Sequence, residues 1–596
     1  MHRLSELHIK NFRACKNVSL PLEGYTPLVG QNNTGKSTIL EAIKWVLKPF
    51  ALSESDFGNS GQPVVISARV EGISSDILSL VPNAKHRAAI EPFCVDGFLW
   101  IRAVASEAGT GAKKIEKQVY DPSQYSGVGL PADDGWREYP TGLPQAVSAL
   151  LPEALHIEAM DDVGEDLGKS KSGSTIKNLL DEIMGPVLQA HDDLSEALST
   201  IRHILTTDGS NRSSHLQTFD EQASKTLNDF FPGLSISLDL QVVDIKEFFK
   251  AGDLHITDKL TGDRRRFDQL GTGAQRSIQM SLIRYLAEVK SATQENPARR
   301  LLLIDEPELY LHPQGIRRLR EALDKLSQKG FQIVFSTHSP LMLNRENAAD
   351  TVIVRKKKEE GVITQKPLRR AVQAALSDAP SQSRTIFELG NVAEIYFSDR
   401  VIICEGKTDS RLLPLAYERI NGYPMELDQT TMISLGGCEN IPKAMKVLDS
   451  MGIAACAIAD LDFAFTGARK SGMLPKDGDD LIQARAVLQR LQPEHGFFIA
   501  GNGLPQNKGE WTAADAWAVV AHDSEGRKIA DYVHTELKGC KVWVWPTGDI
   551  ERVTGSSEKG EDAIIKQEEQ LRAMSCDQIV DKMPYLKACF EWIRNL

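Results

Sequence analysis

Residues Gly30-Gln31-Asn32-Asn33-Thr34-Gly35-Lys36-Ser37 fit the pattern G-x-x-x-x-G-K-[ST]. They lie between an apolar strand end, Leu28 and Val29, and a helix expected over Ser37 to Leu47 with Ile39, Ile43 and Val46 on one face. That context gives the pattern its meaning. The glycines let backbone N–H groups wrap phosphates, Lys36 brings a cation to the β and γ oxygens, and Ser37 offers a hydroxyl to magnesium. Gly30, Asn32, Asn33, Gly35 and Thr38 complete this cradle, so ATP with Mg2+ is the expected cofactor.

A second segment supplies what such a cradle lacks. In Leu301-Leu302-Leu303-Ile304-Asp305-Glu306-Pro307 four apolar residues predict a buried strand, Asp305 ends it near the magnesium, and Glu306 stands where it can polarise the attacking water. Between the two lies Leu270-Gly271-Thr272-Gly273-Ala274-Gln275-Arg276, ahead of a helix with an apolar stripe of Ile278, Leu282, Tyr285, Leu286 and Val289. The start of a helix at Gly271, Gly273 and Gln275 presents backbone amides suited to a γ-phosphate.

The chain has 596 residues, too many for one core at about 100 to 200 residues per domain, so roughly three or four units are expected. Its 41% hydrophobic and 25% charged content is that of a soluble globular protein. A net charge of -12 argues against a uniformly basic DNA-coating protein, although a local basic surface suffices for a nuclease. No apolar run approaches the ~20 residues of a membrane span and the first residues carry no signal-like segment, so a cytoplasmic location with no membrane partner is expected. Eight cysteines without a Cys-x-x-Cys pair signal neither disulfides nor a zinc ribbon and read as buried reduced thiols.

Strand patterns at Leu4 to Ile9, Val18 to Leu22, Val64 to Val70 and Phe98 to Ala103 precede a stretch, Ser106 to Pro144, that reads as loops. Ser174 to Phe231 changes to helical spacing, with Ile176, Leu179, Leu180, Ile183 and Val187, and strand-like alternation returns at Leu234 to Val243. Lys356 to Arg384 is polar and small-residue-rich and is the expected linker. The resulting division is 1–160 and 233–385 for the two parts of the nucleotide-binding unit, 161–232 for a helical insertion, and 386–596 for a further α/β unit.

That last unit opens with Val401-Ile402-Ile403-Cys404-Glu405-Gly406-Lys407-Thr408-Asp409, a buried strand ending on a carboxylate, a glycine turn, and a helix entered at Asp409. Ile453 to Ile458 is another apolar strand and ends in Ala459-Asp460-Leu461-Asp462. Residues two apart on a strand share a face, so Asp460 and Asp462 are expected to point at one cation with Glu405 beside them. Hard oxygen ligands of this kind suit Mg2+ or Mn2+ rather than zinc. Taken one at a time these residues have plainer readings, Asp409 as a helix cap and Asp-x-Asp as a solvated turn.

In combination the segments carry resemblances. Leu270 to Arg276, placed between the phosphate loop and Asp305-Glu306, resembles the signature loop of ABC-type ATPases, and His338 resembles their switch histidine. Ile9-Lys10-Asn11-Phe12-Arg13 looks like the opening strand of the recombination-repair branch of those enzymes, which implies that Arg13 approaches the phosphates. Asn33, where transporters usually have glycine, fits that branch better. The order strand-Glu-Gly, glycine turn at Gly436-Gly437, strand-Asp-x-Asp resembles the Toprim domain. A repair-type ABC ATPase with a helical insertion and a C-terminal Toprim domain resembles the OLD (overcoming lysogenization defect) family, which includes the nuclease of the Gabija anti-phage system.

The fold so implied is α/β throughout: an ABC-type ATPase with a helical dimerisation insertion, then a Toprim unit. The implied function is metal-dependent DNA nicking or cleavage controlled by the ATPase, with a homodimer or dimer of dimers as the assembly, DNA as partner, and room for a helicase or other defence-system partner encoded nearby. Asp409 stands where OLD Toprim motifs commonly carry a second glutamate, and Gly548-Asp549-Ile550-Glu551 resembles a later acidic motif with Glu551 as ligand. For the catalytic lysine of that family Lys559, Lys566 and Lys508 are all eligible, with Lys559 preferred for its Gly-rich, exposed turn. Arg264-Arg265-Arg266, Lys356-Lys357-Lys358 and Arg369-Arg370 could contact a phosphate backbone. The competing reading is a repair ATPase that binds DNA ends with a Toprim-like part of structural use only.

Overall fold

The structure, a computed structural model, describes residues 2–125, 129–151, 154–158, 192–206, 210–230, 237–238, 255–259, 261–292, 300–344, 347–376, 392–556 and 560–596. Within them a twelve-stranded mixed sheet carries the first unit. One half is antiparallel and runs Trp136–Glu138, Glu116–Tyr120, Phe98–Ala105, Val64–Glu71, Arg3–Phe12 and Cys15–Pro21. The other half holds Tyr25–Val29, Phe331–Thr337, Arg300–Ile304 and Leu155–Ile157 in parallel register. The parallel strands are apolar runs buried on both faces, as Leu301 to Ile304 predicts.

Two sequence expectations fail here. Ser106 to Pro144 is not all loop, because Glu116–Tyr120 and Trp136–Glu138 extend the antiparallel half. The expected linker fails as far as residue 376, beyond which it lies outside the described residues. Val352–Lys357 and Gly361–Thr364 form a hairpin that joins the halves: Val352 and Ile353 pair with Leu28 and Val29, while Gly361 pairs with Cys15. Its apolar residues Val352, Ile353, Val354 and Val362 are buried, and the lysines that made the segment look like a connector stand at the exposed turn. Leu368–Ala375 is a helix, and its Ala371 and Val372 enter the same core as Val401 and Ile403.

The helical insertion is seen as Asp192–Leu205 and Ser214–Phe230, with Arg212 and Asp220 paired at 2.6 Å across the turn. Its apolar positions from Ile176 to Val187 and nearly all of the strand expected at Leu234 to Val243 lie outside the described residues.

The second unit is a four-stranded parallel sheet in the order Thr430–Ser434, Arg400–Cys404, Ala454–Ala459, Val542–Val544. Arg400–Cys404 is central and its successors go to opposite sides, so a crevice opens at its C-terminal end, where α/β sheets bind ligands. Val401, Ile402 and Ile403 are fully buried, each such side chain stabilising the fold by about 1.5 to 3 kcal/mol. The two units share one core, in which Val29 and Ile353 join Val401, Ile403 and Ile433.

Candidate nucleotide and metal sites

The phosphate loop follows Tyr25–Val29 and delivers Lys36 as the first residue of the helix Lys36–Leu47. Two glycines are sterically required. A Cβ on Gly30, at φ 156°, would lie 2.2 Å from the Val354 carbonyl oxygen, and one on Gly35, at φ 100°, would lie 2.6 Å from a Val362 methyl. The hairpin thus presses on the loop directly. Asn33 sits at φ 60°, a left-handed conformation that asparagine tolerates better than most residues, which accounts for its replacing glycine. The Lys36 ammonium donates to the carbonyls of Gly30 (3.1 Å) and Gln31 (2.9 Å), while Asn32, Asn33 and Ser37 are exposed and Thr38 is half-buried. Gln31 reaches the second unit, donating to the Gln429 side chain at 2.6 Å.

Asp305 and Glu306 follow Arg300–Ile304, and His338 follows Phe331–Thr337, so adjacent parallel strands deliver all three beside the loop. The Ser336 hydroxyl donates to Asp305 and accepts from the Glu306 N–H at 3.0 Å. Glu306 has φ 44°, a strained conformation for a non-glycine residue, and its carboxylate lies 3.3 Å from His338 Nε2. The hydrogen bond with His338 lowers the Glu306 pKa, as do the charges of His338, Lys36 and Arg276, outweighing the opposing effect of burial. A carboxylate so held is ionised at neutral pH.

Three supporting residues escaped the sequence reading. Glu308, whose pKa is raised by burial, accepts from the Thr337 hydroxyl and the His338 N–H, both at 2.7 Å, and so sets the histidine. Arg276, fully buried, donates to the carbonyls of Asp305 (2.6 Å), Glu306 (2.8 Å) and Glu158 (3.2 Å), with Gln279 beside it. Burial lowers its pKa to about 10, so it stays charged at neutral pH. The expected stripe on Thr272–Ala292 holds in part: Leu282 packs against the core and Ile278 is half-buried, Tyr285 is exposed, and Gln275, Arg276, Gln279, Met280 and Ile283 are buried beside them, while the side chains of Leu286 and Val289 lie outside what is described. Polar residues take the inner face because backbone carbonyls there need donors. Arg276→Met would leave those carbonyls unpaired and release the strained turn, so kcat for ATP hydrolysis should fall about tenfold to hundredfold with KM nearly unchanged, as read by steady-state kinetics.

Gln275 is directed inward, donating to the carbonyls of Phe267 (3.0 Å) and Leu270 (2.9 Å), so it straps the loop while Gly271 is exposed and Gly273 half-buried. Arg13 is ion-paired with Asp56 at 2.8 Å and Glu41 at 2.5 Å. It lines a cavity of about 430 Å³ with Lys16, Gly58, Lys356, Lys357, Lys358 and Gly361.

In the second unit the carboxylates gather at the C-terminal ends of the sheet. Glu405 follows the central strand, Asp460 follows Ala454–Ala459, and Asp549 and Glu551 follow Val542–Val544. The strand-parity argument for Asp460 and Asp462 does not hold, because the strand stops at Ala459 and Asp462 begins the helical turn Asp462–Phe465. A turn brings the pair to the site instead: the Leu461 N–H donates to the Gly548 carbonyl at 2.7 Å and the Phe463 N–H to the Asp460 carbonyl at 3.1 Å.

Asp409 both caps and faces the site. The helix Lys407–Asn421 begins two residues before it, its carboxylate accepts the Gly406 N–H at 3.3 Å, and the side chain is buried. Burial raises its pKa to about 7, with the Glu551 charge adding to the rise. Glu551, also buried, accepts from the Thr408 hydroxyl at 3.1 Å. Asp460 is driven well above the usual carboxylate range, first by burial and then by the charges of Asp409, Glu405, Asp462 and Asp549. That donor set fits hard divalent cations: the charged groups that perturb Asp460 are all carboxylates, and cations would relieve their repulsion.

Asp549 and Cys438 were not foreseen as members of this cluster. Asp549 is fully buried and caps the turn Ile550–Val553. Among the described residues, Glu405, Cys438 and Asp462 each present a ligand atom within 4.8 Å of the others. Lys559 lies outside the described residues. Lys508 lies over the Phe498 ring, 4.1 Å from its centre, and Lys566 is exposed on Glu561–Ala573. Arg264–Arg266 forms an exposed strand, and Arg369 is paired with Asp350 at 2.6 Å.

Family models match segments of both units. A family model described as an AAA ATPase domain matches residues 3–82 and 162–343, and one described as an overcoming lysogenization defect protein-like TOPRIM domain matches residues 396–462. The chain is 33% identical over 564 residues to the Old nuclease of Escherichia phage P2, covering 94% of each chain. It is 24% identical to the OLD nuclease of Thermus scotoductus, covering 77% of this chain and 82% of that one. With Endonuclease GajA of Bacillus cereus it shares 21% identity over 73% of this chain and 71% of the other.

Proposed function

The chain belongs to the OLD nuclease family, and on that premise we propose how its residues divide the work of an ATP-dependent, metal-dependent DNA endonuclease acting in anti-phage defence. The observation that carries this reading is the convergence of Glu405, Asp409, Asp460, Asp462, Asp549 and Glu551 at one end of a parallel sheet. A structural Toprim-like unit has no use for six carboxylates so gathered, three of them buried, which disfavours the repair-ATPase alternative.

In this reading Glu405, Asp460 and Asp462 hold one cation, while Asp409 and Glu551 hold a second. Mg2+ or Mn2+ held there would supply charge stabilisation to the attacking and leaving oxygens. A lysine, with Lys559 preferred, neutralises the scissile phosphate. At the other site Lys36, Ser37 and Asp305 bind ATP and its magnesium, Glu306 accepts a proton from water, and Arg13, Gly271, Gly273 and His338 complete the binding surface, with Gln275 holding the loop from behind. The lysines at the hairpin turn supply DNA backbone contacts.

The assembly is a homodimer or a dimer of dimers, with a helicase or other defence-system partner encoded nearby. Support comes from the helical insertion, where Ile201, Ile204 and Phe219 are exposed, and from the exposed Tyr310 beside the signature loop. Among the described residues no helix is long and apolar enough to cross a membrane. Multi-angle light scattering at micromolar concentration should give at least twice the mass of one chain, with ATP and without it. A single-chain mass in both conditions removes the dimer. Plasmid nicking with Mg2+ and with Mn2+ tests the function itself, and a pure protein that hydrolyses ATP but leaves supercoiled DNA intact returns the chain to the repair-ATPase reading.

A further inference from the structure

We propose that Cys438 is a ligand in the nuclease metal centre, placing sulfur beside the Glu405 and Asp462 carboxylates and turning that centre from Mg2+ towards softer divalent cations such as Mn2+, Co2+ and Zn2+. The inference rests on the nuclease reading for its biological meaning, although its chemistry is measured apart from cleavage.

The geometry comes from strand order. Thr430–Ser434 lies parallel to Arg400–Cys404 with Cys404 opposite Ser434, so the turns after them begin side by side. The Leu435 N–H donates to the Cys404 carbonyl at 3.2 Å, which keeps the turns together for one residue more. Gly436 at φ 67° then reverses the chain, and Cys438 opens the short turn Cys438–Asn440. That turn is fixed from the far side as well. A Cβ on Gly467 would stand 3.6 Å from the Cys438 carbonyl oxygen, and Glu439 is paired with Lys470 at 2.7 Å, both partners lying just beyond Asp462. Cys438 is therefore held between the segments that carry Glu405 and Asp462.

The span is right for one ion. The three ligand atoms lie within 4.8 Å of one another, and an ion with oxygen at about 2.0 to 2.2 Å and sulfur at about 2.3 Å would bridge such a span after small side-chain adjustments. Two carboxylates alone would favour hard cations. A sulfur among them costs Mg2+ a strong ligand and gains one for any cation that accepts thiolate. The contrasting role for Cys438 is that of a small apolar residue, since it packs against the neighbouring core.

Cadmium distinguishes the two. Titrating Cd2+ into the full-length protein should produce the ultraviolet thiolate-to-cadmium charge-transfer band, and this band should be lost both in Cys438→Ser and in Glu405→Gln/Asp462→Asn. Calorimetric Mn2+ affinity should drop about tenfold or more in Cys438→Ser while Mg2+ affinity changes by less than about threefold. In wild-type protein, with no substitution to disturb folding, Mn2+ should slow maleimide modification of Cys438 as read by peptide mass. A band unchanged in Cys438→Ser, a band retained without the two carboxylates, or alkylation indifferent to Mn2+ overturns the proposal. Failure of the nuclease reading is distinguishable: a Cys438-dependent band in a protein that nicks no DNA keeps the ligand and removes the nuclease, whereas nicking with a Cys438-independent band does the reverse.

Discussion

Asp460→Ala should abolish DNA nicking, by at least about a hundredfold, while ATP turnover stays within about twofold of wild type. The size of the effect follows from where Asp460 stands. It closes the strand beside the central one, and Asp409, Glu405, Asp462 and Asp549 all bear on its charge. Removing it takes a ligand from the cation proposed between Glu405, Asp460 and Asp462 and leaves the nucleotide site untouched, since Lys36, Asp305 and Glu306 hang from a different sheet. The fold should survive and even gain stability, because one buried like charge is gone. The comparison is made on one preparation, with plasmid nicking and phosphate release measured in Mg2+ and then in Mn2+. Wild-type nicking in this variant sinks the assignment of the carboxylate cluster as the cutting centre, whatever the ATPase does.

What could be read from the sequence was chemistry confined to one short segment. The phosphate loop, the strand ending in Asp305-Glu306 and the strand ending in Glu405 each state their role within about ten residues, because a motif is a strand end plus the turn that leaves it. Misreadings arose where burial was decided elsewhere. Lys356 to Arg384 looked like a linker because charge at a hairpin turn hid the short apolar pairs Val352 to Val354 and Gly361-Val362 that weld the sheet's two halves. On the helix Thr272–Ala292 hydrophobic counting placed Tyr285 inward, where it is exposed, and could not anticipate a buried arginine: Arg276 is buried where the distant carbonyls of 305 and 306 accept from it.

The pairing of Asp460 with Asp462 cannot rest on strand parity, since the strand stops at Ala459 and a turn carries Asp462. Asp549 and Cys438 could not be found at all from single segments, because what makes them neighbours of Glu405 is the order in which four strands are laid down. The Gly436-Gly437 turn was the one available pointer to Cys438, marking a bend at the ligand-binding end of its strand.

Glu306→Gln should slow ATP hydrolysis by about 10² to 10⁴ while nucleotide still binds, whereas Lys36→Ala should weaken binding itself by at least about thirtyfold. The contrast follows from what each group touches. Lys36 is buried at the start of its helix with its ammonium over the loop, so its loss removes the cation that faces the phosphates. Glutamine in place of Glu306 keeps the size of the side chain and its reach towards His338 but cannot take a proton from water. A pH signature separates the general-base role from mere positioning. The Glu306 pKa is lowered chiefly by its hydrogen bond with His338, so the carboxylate stays ionised below the usual range and its acid limb lies at low pH. Removing that partner in His338→Ala lets the pKa rise, so the limb of kcat against pH should move upward, and turnover on the acid side should fall more than at neutral pH. Phosphate-release assays across the acid range measure the limb, and fluorescent-nucleotide binding measures affinity in the same variants. Undiminished turnover in Glu306→Gln rejects the base, and a limb that stays put in His338→Ala rejects the coupling between histidine and carboxylate that the geometry predicts.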